Sequence, residues 1–110
     1  MDELLKNIKE FFESGEENLK KARFNASVSD FFKAIVILCD YKIYTDMKIM
    51  PKNHSERFSI LEKYFQSVYL EVSNLFQIYT KSYNLRMNKE DAIKLRNYAY
   101  GLKDSFASKK

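Results

Sequence analysis

Two groups of residues in this chain could carry chemistry. The first is "MPKNHSERFSIL", Met50–Leu61, which holds the only histidine and the only proline. A histidine titrates near neutral pH and is the usual proton shuttle. His54, however, follows Asn53, a good helix N-cap, so it stands where the positive end of the helix dipole disfavours an imidazolium. The expected state is a neutral imidazole that hydrogen-bonds nearby backbone and pins the loop before the helix; a loop binding site at His54 is the sharper alternative. The second group is Lys89, Ile93, Arg96, Tyr100 and Lys103, at spacings of four, three, four and three. On a helix these form one line, with cations alternating with apolar or aromatic groups. Lys89, Arg96 and Lys103 could meet phosphate, and Tyr100 could stack on a base or ribose. The bland alternative packs Ile93 and Tyr100 on a neighbour while the basic side chains snorkel outward.

Other chemistry is absent from the pattern. There is no Gly-rich phosphate loop, no G-x-S-x-G elbow and no pair of histidines. Cys39 sits in the most apolar stretch and reads as a small core residue rather than a nucleophile. One Cys and one His cannot build a tetrahedral zinc site, so no metal and no cofactor are expected. A single Cys also excludes an internal disulfide and suits a reducing, cytoplasmic setting. No basic, apolar leader opens the chain. The longest uncharged apolar run, Ala34–Cys39, is far short of the ~20 residues a membrane span needs.

The elements that must position these residues are helices. Only two Gly and one Pro occur in 110 residues, too few for a turn-rich β fold. Ser27-x-x-Asp30, Asn53-x-x-Glu56 and Asn88-x-x-Asp91 each pair an N-cap with an acid three residues on. The spacing predicts a first helix from about Asp2 to Phe24, with Leu4, Ile8, Phe11, Leu19 and Ala22 on one face and Gly15 permitting close approach. A second runs from Ser27 to about Ile49, buried through Phe31, Phe32, Ile35, Leu38, Cys39 and Ile43, and ended by Pro51. A third runs from Asn53 through Phe58, Leu61, Phe65, Val68, Val72, Leu75, Tyr79 and Tyr83. A fourth follows Asn88 through Ala92, Leu95, Ala99, Leu102 and Phe106. Short connections imply one domain over 1–110, an all-α, antiparallel up-down-up-down four-helix bundle.

The third helix is too long for that bundle. At ~32 residues it would reach ~48 Å, against ~35 Å for the first two. Leu75, Phe76, Tyr79 and Tyr83 would overhang, either bending back near Ser73-Asn74 or forming a homodimer interface. Charge is also uneven within the net +4. Residues 1–20 carry six acids and three bases, and residues 80–110 carry eight bases and three acids. A basic end of this kind suits polyanions or is simply a solvated face.

With the helices laid out, the chain resembles the HEPN domain family, over roughly residues 17–106. The resemblance rests on "ENLKKA", "SDFFKAIVILCDYKIY", "PKNHSERFSILEKYF", "YTKSYNLRM" and "NKEDAIKLRNYAYGL". It implies the bundle, a tendency to dimerise, a link to nucleotides or RNA, and a nucleotidyltransferase-like partner in a toxin–antitoxin-like pair. Ribonuclease members carry Arg, a following Asn or Asp, and then His; here Arg96-Asn97 is followed by Gly101 where the histidine would stand. No catalytic residue is therefore carried over, because glycine cannot move a proton. Two functions remain: a non-catalytic HEPN-like dimer that binds nucleotide or RNA or acts in a toxin–antitoxin-like pair, and a protein-interaction scaffold with no nucleic-acid role.

Overall fold

A computed structural model describes residues 2–107. They form five helices: α1 (Asp2–Lys20), α2 (Phe24–Met47), α3 (His54–Tyr64), α4 (Gln66–Lys81) and α5 (Lys89–Ala107). Among the described residues there is no strand, in line with the all-α expectation. Among the described residues there are thus five helices, and the single long third helix gives way to two.

The spine is α2. Val28, Phe31, Phe32, Ala34, Ile35, Leu38, Cys39 and Ile43 are all buried, and at ~100° per residue they cover about half of the helix circumference. A stripe that wide needs more than one neighbour, and α1, α3, α4 and α5 all pack against it. Leu61, Val72, Leu75, Leu95, Ala99 and Leu102 complete the core from the surrounding helices.

Helix α1 runs antiparallel to α2. Gly15 faces Phe31, and a Cβ built on Gly15 would stand 2.8 Å from that ring. The close approach expected of Gly15 is therefore real. Beside it, Ser27 Oγ donates to the Gly15 carbonyl at 3.0 Å. The core line of α1 passes through Ile8, Phe12 and Gly15, one residue on from Phe11, which is only partly buried.

Ser27 does not cap a helix. The α2 helix starts three residues earlier, at Phe24, because α1 ends in a tight turn at Ala22. There Arg23 N–H reaches the Asn18 carbonyl at 2.8 Å and Ala22 N–H the Leu19 carbonyl at 3.1 Å. Ala22 adopts a left-handed φ of 59°, the Schellman geometry that closes helices. The Ser27-x-x-Asp30 pattern is instead spent between helices: Asp30 accepts from Ser14 Oγ at 2.7 Å and from Asn18 Nδ2 at 2.8 Å. The other two caps form. Asn53 Oδ1 accepts from Glu56 N–H at 2.8 Å. Asn88 and Asp91 cap each other at 2.9 and 3.1 Å.

The long third helix breaks at Phe65, not at Ser73-Asn74. Phe65 leaves the helical region with φ −138° and ψ 60°. Chain direction then reverses, so α3 and α4 form a hairpin in which Phe58 meets Tyr69 and His54 meets Phe76. No Pro or Gly marks the site. The physical reason is burial: the break lets Leu61 on one side and Val72 and Leu75 on the other all reach the core around α2, which a straight rod could not do. The overhang expected of a straight third helix accordingly disappears. Leu75 is fully buried in its own chain, Phe76 and Tyr79 lie against Phe32, and Tyr83 remains 75% exposed. After α4, Asn25 ties down the loop into α5: its Nδ2 donates to the Ser82 and Leu85 carbonyls at 2.8 and 2.7 Å, and its Oδ1 accepts from Met87 N–H at 2.9 Å.

Gly15→Ala tests the α1–α2 seam by sign. In an unconstrained helix interior the substitution stabilises by ~1 kcal/mol. Here Phe31 is fully enclosed, so overpacking of about 1–3 kcal/mol should dominate. Thermal melts should show a lower Tm; an unchanged or higher Tm would mean that the seam is loose.

Candidate functional site

The basic and aromatic line predicted on the last helix lies on α5, and α1 has taken up most of it. Arg96 Nε donates to Glu16 Oε2 at 2.7 Å, and Tyr100 Oη donates to the same oxygen at 2.9 Å. The guanidinium lies over the Tyr100 ring, 5.0 Å from its centroid. Tyr100 in turn packs on Phe12 at 4.6 Å, and Lys103 Nζ sits 5.1 Å above Phe12. Burial, and then the hydrogen bond to Glu16, push the Tyr100 hydroxyl above its ordinary value. Both ends of the Arg96–Glu16 pair are more than a third exposed, so the pair contributes at most ~1 kcal/mol. Lys89, the first residue of α5, is exposed and apart from this cluster.

The neighbouring hollow decides what this face can accept. A cavity of about 470 Å³ opens beside Tyr100, lined by Glu13, Glu16 and Glu17 as well as Phe12, Leu19 and Lys20. Of its three carboxylates, Glu16 is paired with Arg96 and Glu17 with Lys21 at 2.9 Å, and Lys20 lines the same hollow, so the charge around the Tyr100 ring is largely balanced. Glu16 and its neighbours are what the reading of the α5 line omitted. The signal lay in the sequence as the acid-rich residues 1–20, opposite in sign to residues 80–110.

His54 occupies a second cluster. Asp40 lies on the buried spine α2, and Arg57 on α3 grips it with both ends of the fork, Nε to Oδ1 at 2.6 Å and Nη2 to Oδ2 at 2.9 Å. Both side chains are nearly enclosed, at 12% and 11% exposure. The remaining arm, Arg57 Nη1, meets His54 Nδ1 at 3.2 Å. Arginine can only donate, so Nδ1 accepts and the ring proton sits on Nε2. Nε2 is buried with no partner, and the ring is held between Phe58 at 4.4 Å and Phe76 at 4.6 Å. Burial first, and then the Arg57 charge, hold His54 below its ordinary value of 6.5. The imidazole is therefore neutral, but its bond is to the Arg57 side chain and not to the backbone expected at the start of a helix, and its anchor is the Arg57–Asp40 pair. That pair could have been inferred from Asp40, a carboxylate set directly after the apolar run Ala34–Cys39, which burial forces to find a cation.

On the outer side of His54 a shallow groove of about 400 Å³ runs between α1, α2 and α4, with Phe11, Phe32, Val36, Ile37, Phe76 and Tyr79 along it and Lys33 at its edge. Lys33 Nζ lies 5.6 Å over the Phe11 ring. The Tyr79 and Tyr83 hydroxyls bond to each other at 2.7 Å near one end. That bond and burial raise Tyr79 to about 12.

Burial pushes the Cys39 thiol up to about 12, so it stays protonated. Gly101 is exposed, and a Cβ there would meet nothing within 4 Å. Among the described residues no group of three or more His, Cys, Asp or Glu could hold a metal, and no helix is long and apolar enough to cross a membrane. Comparison of the chain with protein-family models, with curated proteins and with solved structures gives no match.

Two outcomes follow for the Asp40 cluster. Asp40→Ala strands a buried guanidinium, so unfolding free energy measured in urea should fall by about 3–5 kcal/mol; a loss under ~1 kcal/mol would mean that water reaches Arg57 freely. For His54 the folded state binds fewer protons than the unfolded chain, so its contribution is full above pH 6.5 and is lost as pH falls below that value. The Tm advantage of the native chain over His54→Gln should therefore shrink from pH about 7 to about 5. A gap that stays constant or widens on acidification would contradict a neutral, buried imidazole.

Proposed function

We propose that this chain is a non-catalytic, HEPN-like helical module of the cytoplasm that works as a homodimer and binds nucleotide or RNA, or acts with a nucleotidyltransferase-like partner in a toxin–antitoxin-like pair. The observation that carries the pairing is the groove beside His54. It is bordered by four aromatic rings and two branched aliphatic side chains, and its only charged neighbour, Lys33, folds over Phe11. A continuous apolar groove of this kind is what a second copy would cover. Phe76 and Tyr79 reach that face although Leu75 does not, and Tyr83 stands exposed at its end.

The HEPN-like topology is supported by helix order. The α3–α4 hairpin stands where a third bundle helix is expected, between an antiparallel α1–α2 pair and a final α5. The absence of catalysis rests on Gly101, which offers no proton-transfer group at the position where the resemblance requires one.

The second reading, a protein-interaction scaffold with no nucleic-acid role, is favoured by one observation: Glu16 holds both Arg96 and Tyr100, so the cation and the ring that would meet RNA are already engaged within the chain.

Light scattering at micromolar concentration tests the pairing. A dimer that Val36→Glu converts to a monomer is expected; a monomeric native chain overturns the homodimer. Titration of a labelled oligoribonucleotide at two salt concentrations then separates the two readings. Phosphate contacts require affinity to fall steeply with salt, and Glu16→Gln, by releasing Arg96 and Tyr100, should tighten binding severalfold. Salt-independent or absent binding in both proteins leaves the scaffold.

A further inference from the structure

We propose that the cleft between the first half of α1 and the C-terminal halves of α2 and α5 is a binding site for a linear, singly charged anionic amphiphile of the fatty-acid type. The cleft measures about 640 Å³, well inside the ~300–1,000 Å³ of small-molecule sites. It is separate from the groove beside His54 and from the acidic hollow beside Tyr100.

Its walls divide by chemistry. The floor is apolar: Ile8 and Leu38 are buried, Phe106 is half-buried, and Leu5 leaves 47% of its surface in the opening. The rim is cationic, with one lysine from each of the three helices: Lys9 on α1, Lys42 on α2 and Lys103 on α5. Two of these are steered by aromatic rings. Lys103 Nζ sits 5.1 Å over Phe12, and Lys42 Nζ sits 5.5 Å over Phe106. The single acid on the rim, Asp46, is consumed by Lys42 at 3.0 Å. Among the described residues Lys9 and Lys103 have no ion pair, so the mouth keeps an excess of two positive charges over an apolar floor.

That division selects the ligand. A polyanion needs cations in a row and no apolar floor; here the cations ring one. A neutral hydrocarbon would leave the ammonium groups unused. An alkyl carboxylate satisfies both parts, its chain on Leu5, Ile8, Leu38 and Phe106 and its head between Lys9 and Lys103. Lys103, which in sequence belongs to the proposed phosphate line, thus lines this cleft, with its Nζ over Phe12, a ring of the neighbouring hollow.

The chain contains no tryptophan, so Leu5→Trp at the exposed mouth gives a clean fluorescence reporter. Titrating full-length Leu5→Trp protein with dodecanoate below its micelle concentration should give a saturable change with one ligand per chain. Dodecyltrimethylammonium, equal in tail and opposite in charge, should bind at least tenfold more weakly. In the unlabelled native chain, dodecanoate should displace anilinonaphthalene sulfonate with the same affinity. Lys9→Glu with Lys103→Glu, both at exposed positions, should weaken dodecanoate tenfold or more with helical content unchanged by circular dichroism. Equal binding of the two amphiphiles, non-saturating binding, or full retention in the double variant overturns the proposal. So does tight association with anionic phospholipid vesicles without binding of monomeric dodecanoate, which would make the cleft a membrane-facing surface.

Discussion

The fold depends on a single constraint, the broad apolar side of α2. A helix with a narrow apolar stripe needs one neighbour; a helix that buries Phe31, Phe32, Ile35, Leu38, Cys39 and Ile43 over about half of its circumference needs several. Each other feature follows from meeting that need. Gly15 removes a side chain so that α1 can lie close against Phe31. Phe65 breaks a rod so that two shorter helices can both reach the spine. The same enclosure traps Asp40, and the trapped charge dictates Arg57, because a carboxylate taken out of water is tolerable only when paired and hydrogen-bonded. His54 is then placed by Arg57. The sole histidine is thus linked to the core through two charged residues, and its neutrality is a consequence of packing.

How much of this was legible depends on the range of the interaction that decides it. The caps at Asn53 and Asn88 are local, and both form as their spacing indicates. The buried stripe of α2 is also local, since it is written in the residues themselves. The start of α2 was misplaced because Ser27 and Asp30 have the right chemistry for a cap, yet each found a better partner across the α1–α2 seam. The break at Phe65 has no local mark at all: Tyr64-Phe65-Gln66 is as helical by propensity as its surroundings, and only the position of the core relative to Leu61 and Leu75 requires the turn. Ala22 is a related case, an ordinary residue held at positive φ because the turn around it is fixed by Arg23 and Asn18.

The candidate sites follow the same division. His54 was visible as a residue type, whereas its partners were not, because Asp40 lies 17 positions before Arg57 and nothing in the spacing ties them. The line on α5 was visible as a periodicity, and the structure places Arg96, Tyr100 and Lys103 along one flank as the helical repeat requires. What faces it is set by another helix and is not written in that periodicity. A helix's outward residues acquire a meaning from the helix opposite, and α1 brings carboxylates to Arg96 and Tyr100 but an aromatic ring and an aliphatic floor to Lys103.

The uneven charge along the chain is therefore better understood as two interactions than as one basic surface. Near the middle of α5 the acids of α1 and the bases of α5 meet and cancel, at Glu16 and Arg96. Toward the end of α5 the facing half-turns of α1 supply Leu5, Ile8 and Lys9, with no carboxylate among the cleft-lining residues from that helix. Cancellation cannot occur there, and Asp46 from α2 neutralises only its own neighbour, Lys42. Among the described residues Lys9 and Lys103 are thus cations without an ion pair that stand beside apolar surface. Exposed charge is hydrated at little cost, but an ammonium group beside a hydrocarbon floor loses part of its water. Such a cation gains from an anion whose tail can cover the floor.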